Sequence, residues 1–263
     1  MQIAEELSLP CQPRVYALLM RELLPETPSL RRLNQLFAAD PVLAAWLLEG
    51  ANQPGHQMSG MVHGIAQAVT LLGVRHLRQV LKKAQTGLVL RPASGMDTAQ
   101  WAQVSVACAK LARNLAGITC LDAGVAYTAA LLHALGHVLP QQPQTEDPAL
   151  SALGIWDPRR PRLERKCWGE STHQRSAAWL RQWHLPHDVI AAIEGMEQPM
   201  ELPLFDPMAG VVHLAVWCQR AKVSGWSERQ IADAFPVDVA LALGVDVDVV
   251  LQQEAVDWSK SVY

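Results

Sequence analysis

Residues 123–145, AGVAYTAALLHALGHVLPQQPQT, contain no formal charge, and only the first 17 of them are mainly apolar. A membrane span needs about 20 apolar residues with few polar interruptions. Here Gly124, His133, Gly136 and His137 interrupt the run, and a glutamine-rich exit follows it. The stretch is therefore expected to form a buried core helix over roughly 122–139, around which other helices must pack.

Outward from this helix, the flanking sequence punctuates itself into further helices. Asp97 or Thr98 is placed to cap a long helix reaching about Ala116, after a loop-like RPASGMD at 91–97. Towards the N-terminus, Pro13 suits a first helical position, and Val15, Leu18, Leu19 and Leu23 follow at helical spacing. Ser29 is placed to cap a helix carrying Leu30, Leu33, Leu36 and Phe37, and Asp40-Pro41 opens VLAAWLLEGA. Ile65 to Leu72 reads as a helix closed by Gly73, and Val74 to Gln85 as a helix with Arg75, Arg78, Lys82 and Lys83 along one side. Towards the C-terminus, helices are expected near 168–184, 187–196 and 207–222, then a capping box from Ser227 to Gln230. The proline-rich stretch 140–165 reads as a long, mostly irregular excursion. No run alternates as a strand, so the class is all-α.

Half of the 263 residues are apolar and 18% are charged, as in a globular protein rather than a disordered one. A net charge of -3 argues against a dedicated nucleic-acid binder. Cys11, Cys108, Cys120, Cys167 and Cys218 are odd in number, widely spaced and without a C-x-x-C pair. They suit reduced thiols in a cytoplasmic protein. The start MQIAEELSLP is acidic where a secretory leader is basic, and no membrane association is expected.

Four blocks carry a resemblance. DPVLAAWLLEGAN (40–52), IAQAVTLLGVRHLRQVL (65–81), LLHALGHVL (131–139) and STHQRSAAWLRQWHLPHDVIAAI (171–193) occur in the order seen in the HDOD family, and the chain resembles that family over roughly 9–220. HDOD domains are helical relatives of the HD phosphohydrolases and are generally regarded as regulatory modules without hydrolase activity. The resemblance implies an HD-like bundle over 1–220, with 1–90 as an N-terminal helical subdomain and 97–220 as the HD-like core. A helical extension, 221–263, is expected to pack on it.

An HD hydrolase holds a divalent metal with histidines and an aspartate, including an adjacent His-Asp pair on a core helix. Such ligands leave a position open for activated water. In this chain His133 stands at the pair, but Ala134 replaces the aspartate. The first ligand position falls on Gln103 or Val104, the late aspartate on Val216, and a pair of histidines common in the family on Gly195 and Met196. No catalytic residue, metal or cofactor is therefore assigned; His133, His137 and His173 are the residues left that could ligate. The plainer alternative makes His133 a core histidine bonded to backbone and His137 a cap at the helix end.

The basic cluster RRPRLERK contains Arg159, Arg160, Arg162, Arg165 and Lys166, close to Trp156. It reads either as a solvated loop or as a contact patch for phosphate, nucleotide or an acidic partner. Trp46, Trp101, Trp179 and Trp183 suit core packing. The expected function is a non-catalytic signalling module that binds a protein partner. The alternatives are a metal-dependent phosphohydrolase with a rearranged site, and a small-ligand or nucleotide sensor using the vacated cleft.

Overall fold

A computed structural model describes residues 9–55, 61–85, 96–139 and 147–252. The readings made for the N-terminal eight residues, for 91–95, for 140–146 and for the chain beyond 252 lie outside the described residues. Those described are helical and contain no strand.

The first four helices are α1 (Pro13–Glu22), α2 (Leu30–Phe37), α3 (Pro41–Ala51) and α4 (Ile65–Gln85). Ser29 caps α2 through its side chain, and Asp40 caps α3 by accepting from the Val42 and Leu43 amides. The other Asp40 oxygen accepts from the Gln12 amide at 2.6 Å, so one buried carboxylate ties the entry of α1 to that of α3. Burial raises the Asp40 pKa, and the three backbone N–H groups oppose the rise. α4 carries a break at Gly73, whose φ of 65° and ψ of 170° lie in a region open essentially to glycine. The two segments expected on either side of Gly73 are thus one kinked element. α3 is buried nearly all round and packs on α4 and α2.

The centre is built from α5 (Thr98–Ile118) and α6 (Ala123–Leu132), each started by an aspartate cap, Asp97 and Asp122. They pack along one another more extensively than any other pair. α7 (Pro148–Ser151) and α8 (Arg160–Trp168) follow, then α9 (Thr172–Gln182), α10 (His187–Gly195) and α11 (Pro207–Val223). α11 packs across α5, α6 and α10. Stacking of Trp46 on Trp183, with centroids 4.6 Å apart, joins α3 to the end of α9.

The C-terminal helices are α12 (Glu228–Ala234), α13 (Val237–Leu243) and α14 (Val247–Gln252). Ser227 and Gln230 form the expected capping box. Trp217 of α11 meets Trp226 and Phe235 edge-on, which fastens this extension to the bundle.

Two places differ from the sequence expectation. The stretch 140–165 is not mainly irregular where it is described, because Asp147 caps α7 and Pro161 starts the first turn of α8. Arg160 then donates to the carbonyls of Leu150 and Leu153 at 3.3 and 2.8 Å, holding the two helices together. The second difference is in the core helix, which stops at Leu132 and continues as a 3-10 turn, Leu135–His137. The reason is lateral. The His133 carbonyl accepts from Ser176 and His173 of α9, and the Gly136 amide donates to Ser176. A Cβ at Gly136 would lie 2.4 Å from the Thr172 carbonyl oxygen, so only glycine allows this approach.

Candidate functional site

His133, His137 and His173 come together in the interior, where α6 ends against α9. The rings of His133 and His173 stack with centroids 5.4 Å apart, and Trp156 lies 6.1 Å from His133 and 6.4 Å from His137. The 3-10 turn means that His133 and His137 do not share one helical face at i, i+4 spacing. Both rings lie near the Trp156 indole. Trp156 is itself buried, because the turn before α8 drives it inward.

The hydrogen bonds specify the tautomers. The Nδ1 of His133 is 2.7 Å from the Ala130 carbonyl oxygen, which can only accept, so Nδ1 carries the proton and Nε2 presents a lone pair. Likewise His173 Nδ1 donates to the His133 carbonyl at 3.1 Å. Its Nε2 then accepts from Nη2 of Arg220, on α11, at 3.0 Å. All three imidazoles are held neutral. Desolvation pushes His133 down to about 3, while His137 and His173 fall well below 6.5, also chiefly through burial. Positive neighbours reinforce this: Arg160 beside His137, and Arg220 beside His173.

Carboxylates near the cluster are already engaged. Glu164 is fully buried and accepts from Arg160 Nε at 2.7 Å, from the Thr172 amide at 2.8 Å and from the Thr172 hydroxyl at 3.0 Å. Asp157 pairs with Arg159. Next to His133, the Ala134 carbonyl accepts from the buried Trp101 indole at 3.1 Å, so α5 contributes an indole here. Gln103, one of the positions where a first metal histidine would fall, instead lines a depression of about 370 Å³ with Gln12, Arg14, Val15 and Lys110. Val104 and Val216 are buried apolar side chains.

This donor set does not fit a divalent metal. A carboxylate is missing beside His133, and the guanidinium of Arg220, a cation, donates into the lone pair that His173 would have to give. Among the described residues no group of three or more His, Cys, Asp or Glu side chains is arranged to hold a metal ion.

The basic cluster divides into two sets. Arg160 is committed to Glu164 and Arg165 pairs with Glu197, which also accepts from Ser171. Arg159, Arg162 and Lys166 are exposed, with Arg159 held by Asp157. So α8 is anchored on one side and presents cations on the other. The helix pattern does not separate these sets, because the residues that engage Arg160 and Arg165 come from neighbouring segments. Arg220 and Glu164 were not singled out from the sequence; an arginine within VVHLAVWCQRA was the available signal for the first.

The HDOD domain family model matches residues 9–199. No curated protein matches the sequence. Among solved structures, the MmoQ response regulator of Methylococcus capsulatus str. Bath superposes with a TM-score of 0.70 at 20% identity, covering 95% of this chain and 100% of that one. A virulence factor of Campylobacter jejuni subsp. jejuni gives a TM-score of 0.61 at 16% identity, with 95% of each chain covered. A protein of Shewanella amazonensis SB2B, provisionally named a phosphohydrolase, gives 0.50 at 21% identity, covering 92% of this chain and 88% of that one. At these identities the likenesses bear on the fold, which is the all-α HD-like bundle. Among the described residues no helix is long and apolar enough to cross a membrane. With the family model spanning most of its helical bundle, the chain belongs to the HDOD domain family.

Proposed function

We propose that this protein is a cytoplasmic, non-catalytic signalling module that acts by binding a protein partner. One observation carries most of the weight: at the place of the HD metal pair, Ala134 stands beside His133 and Arg220 donates into His173. Phosphoester hydrolysis of the HD type needs a metal-held water there, and beside His133 the carboxylate is absent while the His173 lone pair is taken up by Arg220. The fold likeness to a response regulator is consistent with a signalling role.

The contact surface in this proposal is the outer side of α8, Arg159, Arg162 and Lys166, and suits an acidic partner surface. Arg160, Arg165 and Trp156 hold α8 in place beneath it. The domain is proposed to comprise residues 1–220, with 221–263 as an extension.

The test has two arms. Purified protein should hold less than a stoichiometric trace of iron, zinc or manganese, and should not turn over phosphodiester or phosphomonoester substrates when manganese is added. Stoichiometric metal with turnover would establish the hydrolase alternative. Partners captured from the native cell should be lost when Arg159, Arg162 and Lys166 are changed to alanine; unchanged partners would remove α8 from the interface.

A further inference from the structure

The depression that Gln103 lines combines open room, an apolar floor and cations without counter-charges. Ala102, Gln103, Val106, Ala107 and Lys110 line it from α5, and Arg14 from the first turn of α1. At 3.6 residues per turn these α5 positions share one side of the helix, and the stripe from Ala99 to Lys110 runs about 16 Å. Trp101, which donates to the Ala134 carbonyl, projects from the opposite side of α5, so the depression is separate from the histidine cluster. Gln12 seats α1 against the start of the stripe, its Nε2 donating to the Thr98 carbonyl at 2.8 Å. The room is about 370 Å³, within the range of about 300–1,000 Å³ usual for small-molecule sites.

The lining decides what fits. Ala102, Val106 and Ala107 give an apolar floor, whose removal from water by another apolar body is favourable. Although the chain carries a net charge of -3, Arg14 and Lys110 line the depression and no acidic side chain does, among the described residues. Neither cation makes an ion pair or hydrogen bond among those residues. The carboxylates on the adjoining segments are spent: Asp40 accepts from the Gln12, Val42 and Leu43 amides, and Asp97 from the Ala99 and Gln100 amides. An inorganic anion would answer the cations and leave the floor wet. A neutral apolar molecule would cover the floor and leave the cations unanswered. An organic anion does both.

We propose that this depression binds one small organic anion with an apolar body, a medium-chain carboxylate in its simplest form. The tail lies along the α5 stripe, the carboxylate meets the cations of the lining, and Gln103 adds a neutral amide donor. This site goes beyond the partner-binding proposal, uses none of the α8 cations and stands or falls without it.

The experiment uses the full chain near neutral pH, with sodium decanoate below its micelle concentration, sodium acetate, or decyltrimethylammonium chloride at matched ionic strength. Binding is read by isothermal titration calorimetry and thermal shift. Decanoate should bind saturably, one per chain, and at least about tenfold tighter than either comparison, because acetate lacks the body and decyltrimethylammonium reverses the charge. Arg14→Gln and Lys110→Gln together should weaken decanoate by about fivefold or more and erase its advantage over decyltrimethylammonium. Ala107→Trp, which fills the trough, should weaken it by about tenfold or more. Arg14 and Lys110 hold no partner among the described residues, so the charge variant keeps the fold and decides alone if Ala107→Trp does not fold. Phosphatidylglycerol vesicles separate a free anion from an anionic bilayer as the source, and binding to vesicles without binding of decanoate would overturn a site for one molecule. Equal binding of decyltrimethylammonium, no saturable binding of decanoate, or binding unchanged in the variants would overturn it too.

Discussion

Lowering the pH from 7 towards 5 is expected to destabilise this protein steeply, through the three buried imidazoles. His133, His137 and His173 are neutral in the fold, with pKa values far below the ordinary 6.5 because burial penalises the charged ring. In the unfolded chain they titrate near that ordinary value. Their neutral form therefore favours the fold fully above about pH 6.5, and the advantage is lost as the pH falls towards the folded-state values. Each ring costs about 1.4 kcal/mol per pH unit in that window, so a fall to about pH 5 costs about 2 kcal/mol per ring and about 6 kcal/mol for all three. Asp40 runs the other way, since burial raises its carboxyl and protonation there favours the fold, but it is one group against these three, and His213, whose pKa burial also lowers, acts with them. A loss of about 6 kcal/mol is comparable with the whole stability of a typical domain, about 5–15 kcal/mol. Urea unfolding followed by tryptophan fluorescence at steps between pH 7 and 5 measures the slope. His137→Gln should reduce it by about a third. A stability that changes by less than about 1 kcal/mol over this range, or ring protons that titrate near 6.5 in the folded state, would refute the assignment of neutral buried histidines.

Four further substitutions probe the packing around the site and the backbone elsewhere in the fold. Glu164→Gln removes the charge facing Arg160 and weakens the acceptor for Thr172, and should cost about 3 kcal/mol in chemical denaturation; a loss below about 1 kcal/mol would contradict the buried pair. Gly136→Ala pushes a methyl group to 2.4 Å from the Thr172 carbonyl, and should cost about 1–3 kcal/mol with shifted His173 ring resonances in NMR spectra. Gly73→Ala meets no neighbour within 4 Å, so its expected loss of about 1–3 kcal/mol is backbone strain at φ 65°. Gly117→Ala, equally open but inside α5, should instead stabilise by about 0.5–1 kcal/mol, and the two thermal midpoints should move in opposite directions.

Local signals in the chain were sufficient for most of the helices. Ser29, Asp40, Asp97 and Ser227 cap where their side chains and the following apolar periodicity indicate, since capping depends on residues within one turn. Gly73 marks its kink for a similar reason. LLHALGHVL misleads as one helix because the carbonyl of His133 finds better partners in Ser176 and His173, more than forty positions away on average and invisible to a local pattern. The reading of Trp156 with the basic cluster as a contact patch, and the uniform look of RRPRLERK, fail likewise. Burial of an indole, and the division of cations into committed Arg160 and Arg165 and outward Arg159, Arg162 and Lys166, depend on partners such as Glu197.

The site divides along the same line. That Ala134 follows His133, where the resemblance would place an aspartate, is a matter of composition and is readable without coordinates. What surrounds His133 is a matter of proximity. Arg220 reaches His173, and Trp156 lies close to both His133 and His137, because α6, α9 and α11 converge there. Hydrogen bonds and charge act over a few ångströms in space, whereas residue pattern reports only a few positions along the chain.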